Sequence, residues 1–170
     1  MIIRQEKVLD YPAIGHVVKT AFESAEHADG NEHDLVTQLR KSDGFIPELA
    51  LVAEDNGKIL GHIMFTAVTV GDHTGLALAP LSVHPEAQRQ GIGTTLMRTA
   101  HDKAQQMGFL FSVVLGNNAY YNLVGYQTAK PFGILAPFDV PDEYFMVLFW
   151  TKNTHDIKGT VQYVKELAGS

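Results

Sequence analysis

The sequence predicts a single α+β domain over residues 1–170, built on a mixed, largely antiparallel sheet. Three observations carry this reading. Segments 10–24 and 91–107 place apolar residues at helical spacing. The stretch from Glu48 to Val83 is interrupted by Asp55-Asn56-Gly57 and by Asp72 to Gly75, turn signals that fold it into an antiparallel meander. Strand, helix and strand then follow between Leu76 and Leu115, the layout of a right-handed parallel crossover.

Taken in order, Ile2 to Val8 alternates enough for a short edge strand. Asp10 is placed to cap a helix with Pro12 in its first turn, where the missing N–H costs nothing. Ile14, Val17, Val18, Ala21 and Phe22 extend that helix to about Ser24. A polar, acidic connection from Glu23 to Asp34 leads into a second helix from about Asn31, ending near Gly44. Glu48 to Glu54 is a strand, and Lys58 to Val70 returns against it, with Gly61 marking a bulge or a close-packing point. Leu76 to Val83 is the third strand; Pro80 within it cannot donate to a ladder, so pairing should break or splay there on one side.

Ile92, Leu96, Ala100, Ala104 and Met107 form the apolar stripe of the next helix, and Gly108 stops it. Phe109 to Leu115 is a near-continuous apolar run, as a buried strand with a parallel neighbour requires. A short helix from about Ala119 to Val124, a strand near Tyr126 and a last apolar strand from Phe145 to Trp150 complete a core of about 1–150. The remaining segment, 151–170, reads as a less regular extension with a short helix from Thr160.

Composition narrows the function. A net charge of −6 argues against nucleic acid as the main partner, because phosphate contacts dominate that affinity. No apolar run approaches the ~18 residues a membrane helix needs. The N-terminal residues lack the basic-then-apolar layout of a signal peptide. Zero cysteines exclude disulfides and thiol chemistry and fit a cytoplasmic location. Eight histidines include no His-Glu-x-x-His or similar spacing, so no metal is expected.

The informative stretch runs from Leu78 to Met97. It reads as a strand, a polar loop from Pro85, and a helix opened by Gly91 and Gly93. Amides at a helix start have no intrahelical acceptor and sit at the positive end of the macrodipole, which makes a socket for phosphate oxygens. A Walker A loop needs a lysine where Gly93 is followed by Thr94-Thr95. A Rossmann turn needs a small third residue where this chain has Leu96, and no seven-residue spacer from His84 to Gln90.

What remains, Gln88-x-x-Gly91-x-Gly93 after Leu-Ser-Val-His-Pro, resembles the acetyl-CoA signature of the GNAT (Gcn5-related N-acetyltransferase) superfamily, Gln/Arg-x-x-Gly-x-Gly/Ala. The element order over about 1–150 is also similar to that family's. The segment from Pro141 to Phe149, with Gly159 to Tyr163 after it, resembles a small bacterial subgroup of predicted N-acetyltransferases. The resemblance implies an α/β three-layer fold with splayed central strands and helices on both faces. It also implies acetyl-CoA as co-substrate and an amine as acceptor; homodimers are common in the family.

By the same resemblance, the cofactor diphosphate would rest on amides of Arg89, Gln90, Gly91, Ile92, Gly93 and Thr94, with the Thr94 hydroxyl as an extra donor. Gln88 belongs to the motif, and Leu81 and Val83 would pair with the pantetheine arm as an added strand does. The Val83 N–H would polarise the thioester carbonyl. Tyr120-Tyr121-Asn122-Leu-Val-Gly125-Tyr126 resembles the segment in which a tyrosine four residues before Gly-Phe protonates the leaving thiolate, which selects Tyr121 as general acid. Asn117 and Asn118 are candidates for the pantetheine or simple caps. The base stays open: Leu76 to Val83 holds no carboxylate, leaving Glu26, Glu32, Glu54, His84, a water on Ser82, or a water relay to solvent. Two function classes follow: an N-acetyltransferase, or a non-catalytic acyl-CoA-binding module that kept the socket and lost turnover.

Overall fold

The computed structural model describes residues 1–23 and 32–168, with side chains from 34 to 167 in the second stretch. In chain order the elements are β1 (Ile2–Gln5), α1 (Tyr11–Glu23), α2 (Glu32–Arg40), β2 (Leu51–Asp55), β3 (Lys58–Val70), β4 (His73–Val83), α3 (Ile92–Gln106), β5 (Phe111–Leu115), α4 (Asn118–Tyr121), β6 (Gln127–Thr128), β7 (Ile134–Leu135), β8 (Phe145–Phe149), β9 (Gly159–Thr160) and α5 (Lys165–Ala168). Seven strands form one sheet in the order β1-β2-β3-β4-β5-β8-β6. Every pairing in it is antiparallel except β4 with β5. β7 and β9 form a small parallel pair. This is the mixed, largely antiparallel three-layer arrangement expected.

One face of the sheet is buried by α3, whose Ile92, Leu96, Met97, Ala100 and Ala104 meet Ile63, Phe65, Leu76 and Leu78. On the other face, Ile14, Val17 and Val18 of α1 and Val36 and Leu39 of α2 cover Val52 and Met64. The far half of that face is covered by the C-terminal segment, where Ile157 and Val161 pack with Val68, Val113 and Val147.

Several local expectations change for identifiable reasons. Asp10 does not cap α1: its carboxylate accepts the Lys7 N–H at 2.7 Å and two bonds from Arg4, at 2.7 and 3.0 Å. A bidentate guanidinium outcompetes the orphan amides of a helix start. α2 stops at Arg40 rather than Gly44; Gly44 instead lies against β3, its carbonyl oxygen accepting the Ala67 N–H at 2.8 Å. The β3–β4 turn tightens to Gly71-Asp72, with Val70 opposite His73, so β4 begins three residues before Leu76. Met107 falls outside the apolar stripe, exposed as the cap of α3. The tail carries β9 and α5 rather than one helix from Thr160.

Two expectations about β4 and its neighbours define the site. At Gly61 the β2–β3 register shifts, and an added Cβ would sit 3.0 Å from both Ile92 and Leu96, so bulge and close packing coincide. At Pro80 the β3–β4 register slips, with Phe65 opposite Leu78 but Ile63 opposite Leu81. On its other edge β4 pairs with β5 only at Leu76 and Ala77, and beyond that the two strands part.

Two buried polar groups brace the sheet. His101 of α3 lies among the rings of Phe65, Tyr126 and Trp150 and shares a 3.0 Å bond with the Tyr126 hydroxyl, which meets Ser112 at 2.8 Å. Burial pulls His101 down to about 4, so it is neutral. On the opposite face, Glu6 receives two bonds from Arg40, at 2.8 and 3.0 Å, and meets His62 at 2.8 Å. Burial pushes the Glu6 carboxyl up, but the bonds from His62 and Arg40 outweigh it and hold it at about 2.

Candidate active site

The loop leaving β4 is built locally. His84 caps a single turn over Pro85–Ala87, its Nδ1 accepting the Glu86 N–H at 3.2 Å. Gln88 reaches back to donate its amide to the Val83 carbonyl at 3.2 Å. Arg89 and Gly91 then take left-handed backbone angles, φ +65° and +82°, which swing the chain into α3. A side chain costs about 1–2 kcal/mol in that conformation, so glycine suits position 91. The first intrahelical amide bond is Thr95 N–H to Gly91 O at 3.0 Å, which leaves the amides of Ile92, Gly93 and Thr94 without an acceptor four residues back.

A cavity of about 510 Å³ opens against these amides. It is lined by Arg89, Gly91, Ile92, Gly93 and Thr94 at the helix start, by Leu81, Val83 and Gln88 from β4 and its loop, and by Tyr120 and Tyr121. Ala21 and Phe22 of α1 close one side. The strand register shows which way the β4 backbone points. The His84 N–H bonds to Leu60 O at 2.8 Å across the Gly61–Val83 pair, which makes that pair the non-hydrogen-bonded kind. The N–H groups of Val83, and of Leu81 two residues earlier, therefore turn away from β3 toward the edge that β5 has left.

The two tyrosines sit in different parts of this space. The Tyr121 ring lies against Gly116, at the end of β5, where an added Cβ would come within 2.6 Å of it. It packs edge-on to Tyr126, with centroids 5.9 Å apart, and to Tyr120 at 5.1 Å. Burial, with Tyr120 beside it, pushes the Tyr121 hydroxyl up to about 12, so it is a protonated phenol at neutral pH. Burial raises Tyr120 as well.

Other residues singled out from the sequence are placed elsewhere. Gln90 is exposed and outside the cavity. Thr94 does line the cavity, and its hydroxyl donates to Gly91 O at 3.0 Å, closing the helix start on itself. Asn117 acts as a cap, accepting the Tyr120 N–H at 3.3 Å, and Asn118 opens α4 outside the cavity. His84 and Glu54 line a separate cavity beside His16, and Glu54 is paired with Arg4 at 3.3 Å. Ser82 is buried outside the cavity, its hydroxyl without a partner among the described residues. Glu26, and the side chain of Glu32, lie outside the described residues. Among the described lining residues there is no Asp, Glu or His, and Arg89 is the charged one.

Sequence reasoning missed Phe22 and Ala21 as lining residues; the pattern around them signals only helix burial. Among the described residues no group of three or more His, Cys, Asp or Glu side chains is arranged to hold a metal. No helix among them is long and apolar enough to cross a membrane.

The sequence model of the Acetyltransferase (GNAT) family matches residues 15–126, about two-thirds of the chain. The protein belongs to the GNAT family. Among GNAT relatives, it is 37% identical over 118 residues to the uncharacterized N-acetyltransferase YjhQ of Escherichia coli K12, a match covering 66% of this chain and 65% of YjhQ. It is 31% identical over 131 residues to the uncharacterized N-acetyltransferase YhbS of the same strain, covering 76% and 75%. Two solved GNAT structures superpose closely. YhbS from Escherichia coli in complex with CoA gives a TM-score of 0.88 at 26% identity, covering 98% of this chain and 91% of that one. A GNAT acetyltransferase from Brucella melitensis in complex with acetyl-CoA gives 0.82 at 28% identity, covering 98% and 97%.

Proposed function

We propose that the protein is an N-acetyltransferase that takes an acetyl group from acetyl-CoA and passes it to a primary amine of a small molecule or protein. The observation that carries this reading is the joining, in one cavity, of the α3 start, the open edge of β4 and the Tyr121 side chain. The CoA and acetyl-CoA complexes of the two similar structures support the choice of ligand. Acetyl-CoA supplies an activated thioester for direct attack by the amine.

The residues have distinct tasks. The amides of Arg89 and of Gly91 to Thr94, at the positive end of α3, hold phosphate oxygens. Gln88 fixes the loop to the end of β4. The N–H groups of Leu81 and Val83 receive the amide-bearing arm and polarise the thioester carbonyl, as donors fixed before the reaction begins. Tyr121 gives its proton to the departing thiolate. With no carboxylate or imidazole lining the cavity among the described residues, the amine proton leaves through water.

Calorimetry with CoA and acetyl-CoA, followed by thiol release over a panel of primary amines, tests the reading. The native chain is expected to bind both and to release CoA with at least one amine. Gly91→Val should weaken CoA binding about tenfold by forcing a side chain into the left-handed region. Binding without turnover on any amine would support the acyl-CoA-binding module instead; absence of binding would overturn both.

A further inference from the structure

We infer that Tyr120 is a ligand-contacting residue, its hydroxyl donating to an oxygen of the bound acetyl-CoA at the first turn of α3. This rests on the acetyl-CoA reading above. A Cβ placed at Gly93 would collide with the Tyr120 hydroxyl oxygen, so the phenol stands directly on the helix start. A side chain at position 93 would displace the Tyr120 hydroxyl, whereas at Gly91, where the nearest atom to an added Cβ is 3.9 Å away, the constraint is the left-handed backbone.

The hydroxyl has hydrogen-bonding capacity to offer. Tyr120 lines the cavity, and its hydroxyl has no hydrogen-bond partner among the described residues, while its backbone N–H is held by Asn117 and its carbonyl by the Asn122 N–H. A hydroxyl beside amides that also lack acceptors adds a side-chain donor to the same anion-binding surface. Position separates it from its neighbour. Tyr121 lies by Gly116 at the parted strands, the thioester end, while Tyr120 lies by Gly93 at the phosphate end. The edge-on packing of the two rings at 5.1 Å and 76° fixes that division.

The test is CoA binding by calorimetry for the native chain, Tyr120→Phe, Gly93→Ala and the double variant, with thermal stability measured alongside. Tyr120→Phe is expected to weaken CoA binding at least about tenfold, the lower end for one hydrogen bond to a charged oxygen, with an unchanged melting temperature, since the fold does not use the hydroxyl. Gly93→Ala should weaken binding further. The double variant should bind no worse than Tyr120→Phe, because the colliding atom has gone. Unchanged or tighter CoA binding by Tyr120→Phe, or a double variant as weak as the two losses combined, would overturn the assignment. A native chain that binds no CoA removes the parent reading as well; one that binds beside an unaffected Tyr120→Phe removes this inference alone.

Discussion

Tyr121→Phe is expected to lower CoA release with a productive amine by about 10²–10⁴-fold, the usual worth of a positioned general acid. Affinity for CoA should stay within about twofold, because the ring and its contacts with Tyr120, Tyr126 and Gly116 remain. The pH profile gives a second check. With its hydroxyl raised to about 12, Tyr121 keeps its proton across the working range. Rates for the native chain should therefore rise with pH as the amine loses its proton, with no alkaline fall below about pH 10. Stopped-flow thiol detection from pH 6 to 10 measures both. A loss confined to KM, or native rates that decline above pH 8, would remove Tyr121 from the acid role.

The largest stability effect is expected from Arg40→Ala, about 3–5 kcal/mol in urea unfolding, because it leaves the Glu6 carboxylate buried beside a neutral histidine. The guanidinium also lies 3.7 Å over the Tyr11 ring, so packing is lost with the charge. The pH dependence has a definite sign. The Glu6 carboxyl, usually near 4.5, sits at about 2 in the fold, so its contribution is full above pH 4.5 and is lost as pH falls from there toward 2. That contribution is about 3 kcal/mol. In Arg40→Ala the carboxyl rises, and acid unfolding should begin at higher pH than in the native chain. Unfolding followed by tryptophan fluorescence at pH 7 and pH 4 checks this; equal stability of the two chains at pH 7 would contradict it.

The sheet and the α3 stripe were legible because they rest on periodicity, which burial enforces along a contiguous stretch. The irregularity within β4 was legible for a different reason: one proline, Pro80, cannot serve a ladder wherever it lies, and the β3–β4 register slips there. Capping was read less well, since Asp10 has an orphan helix start on one side and Arg4 on the other, and only the fold decides between them. The Glu6–His62–Arg40 group could not be read, because its members lie 34 and 56 positions apart and none belongs to a local pattern. At the site, the glycines and Tyr121 stood out through motif spacing. Phe22 did not, because its place beside the cavity depends on how α1 crosses the sheet. Gly93 was read as part of the phosphate socket from its motif alone; its contact with the Tyr120 hydroxyl, a neighbour 27 positions away, was not legible.

The open edge of β4 has a consequence for isotope exchange. A strand inside a sheet normally protects every second amide through one neighbour and the rest through the other. Here the second neighbour is missing beyond Ala77, so deuterium should replace the peptide hydrogens of Leu81 and Val83 quickly while Ser82 and His84, tied to β3, stay slow. Such an every-other-residue signature within four consecutive peptide links would mark a sheet left unfinished at its centre, and a cofactor that completes it should erase the contrast.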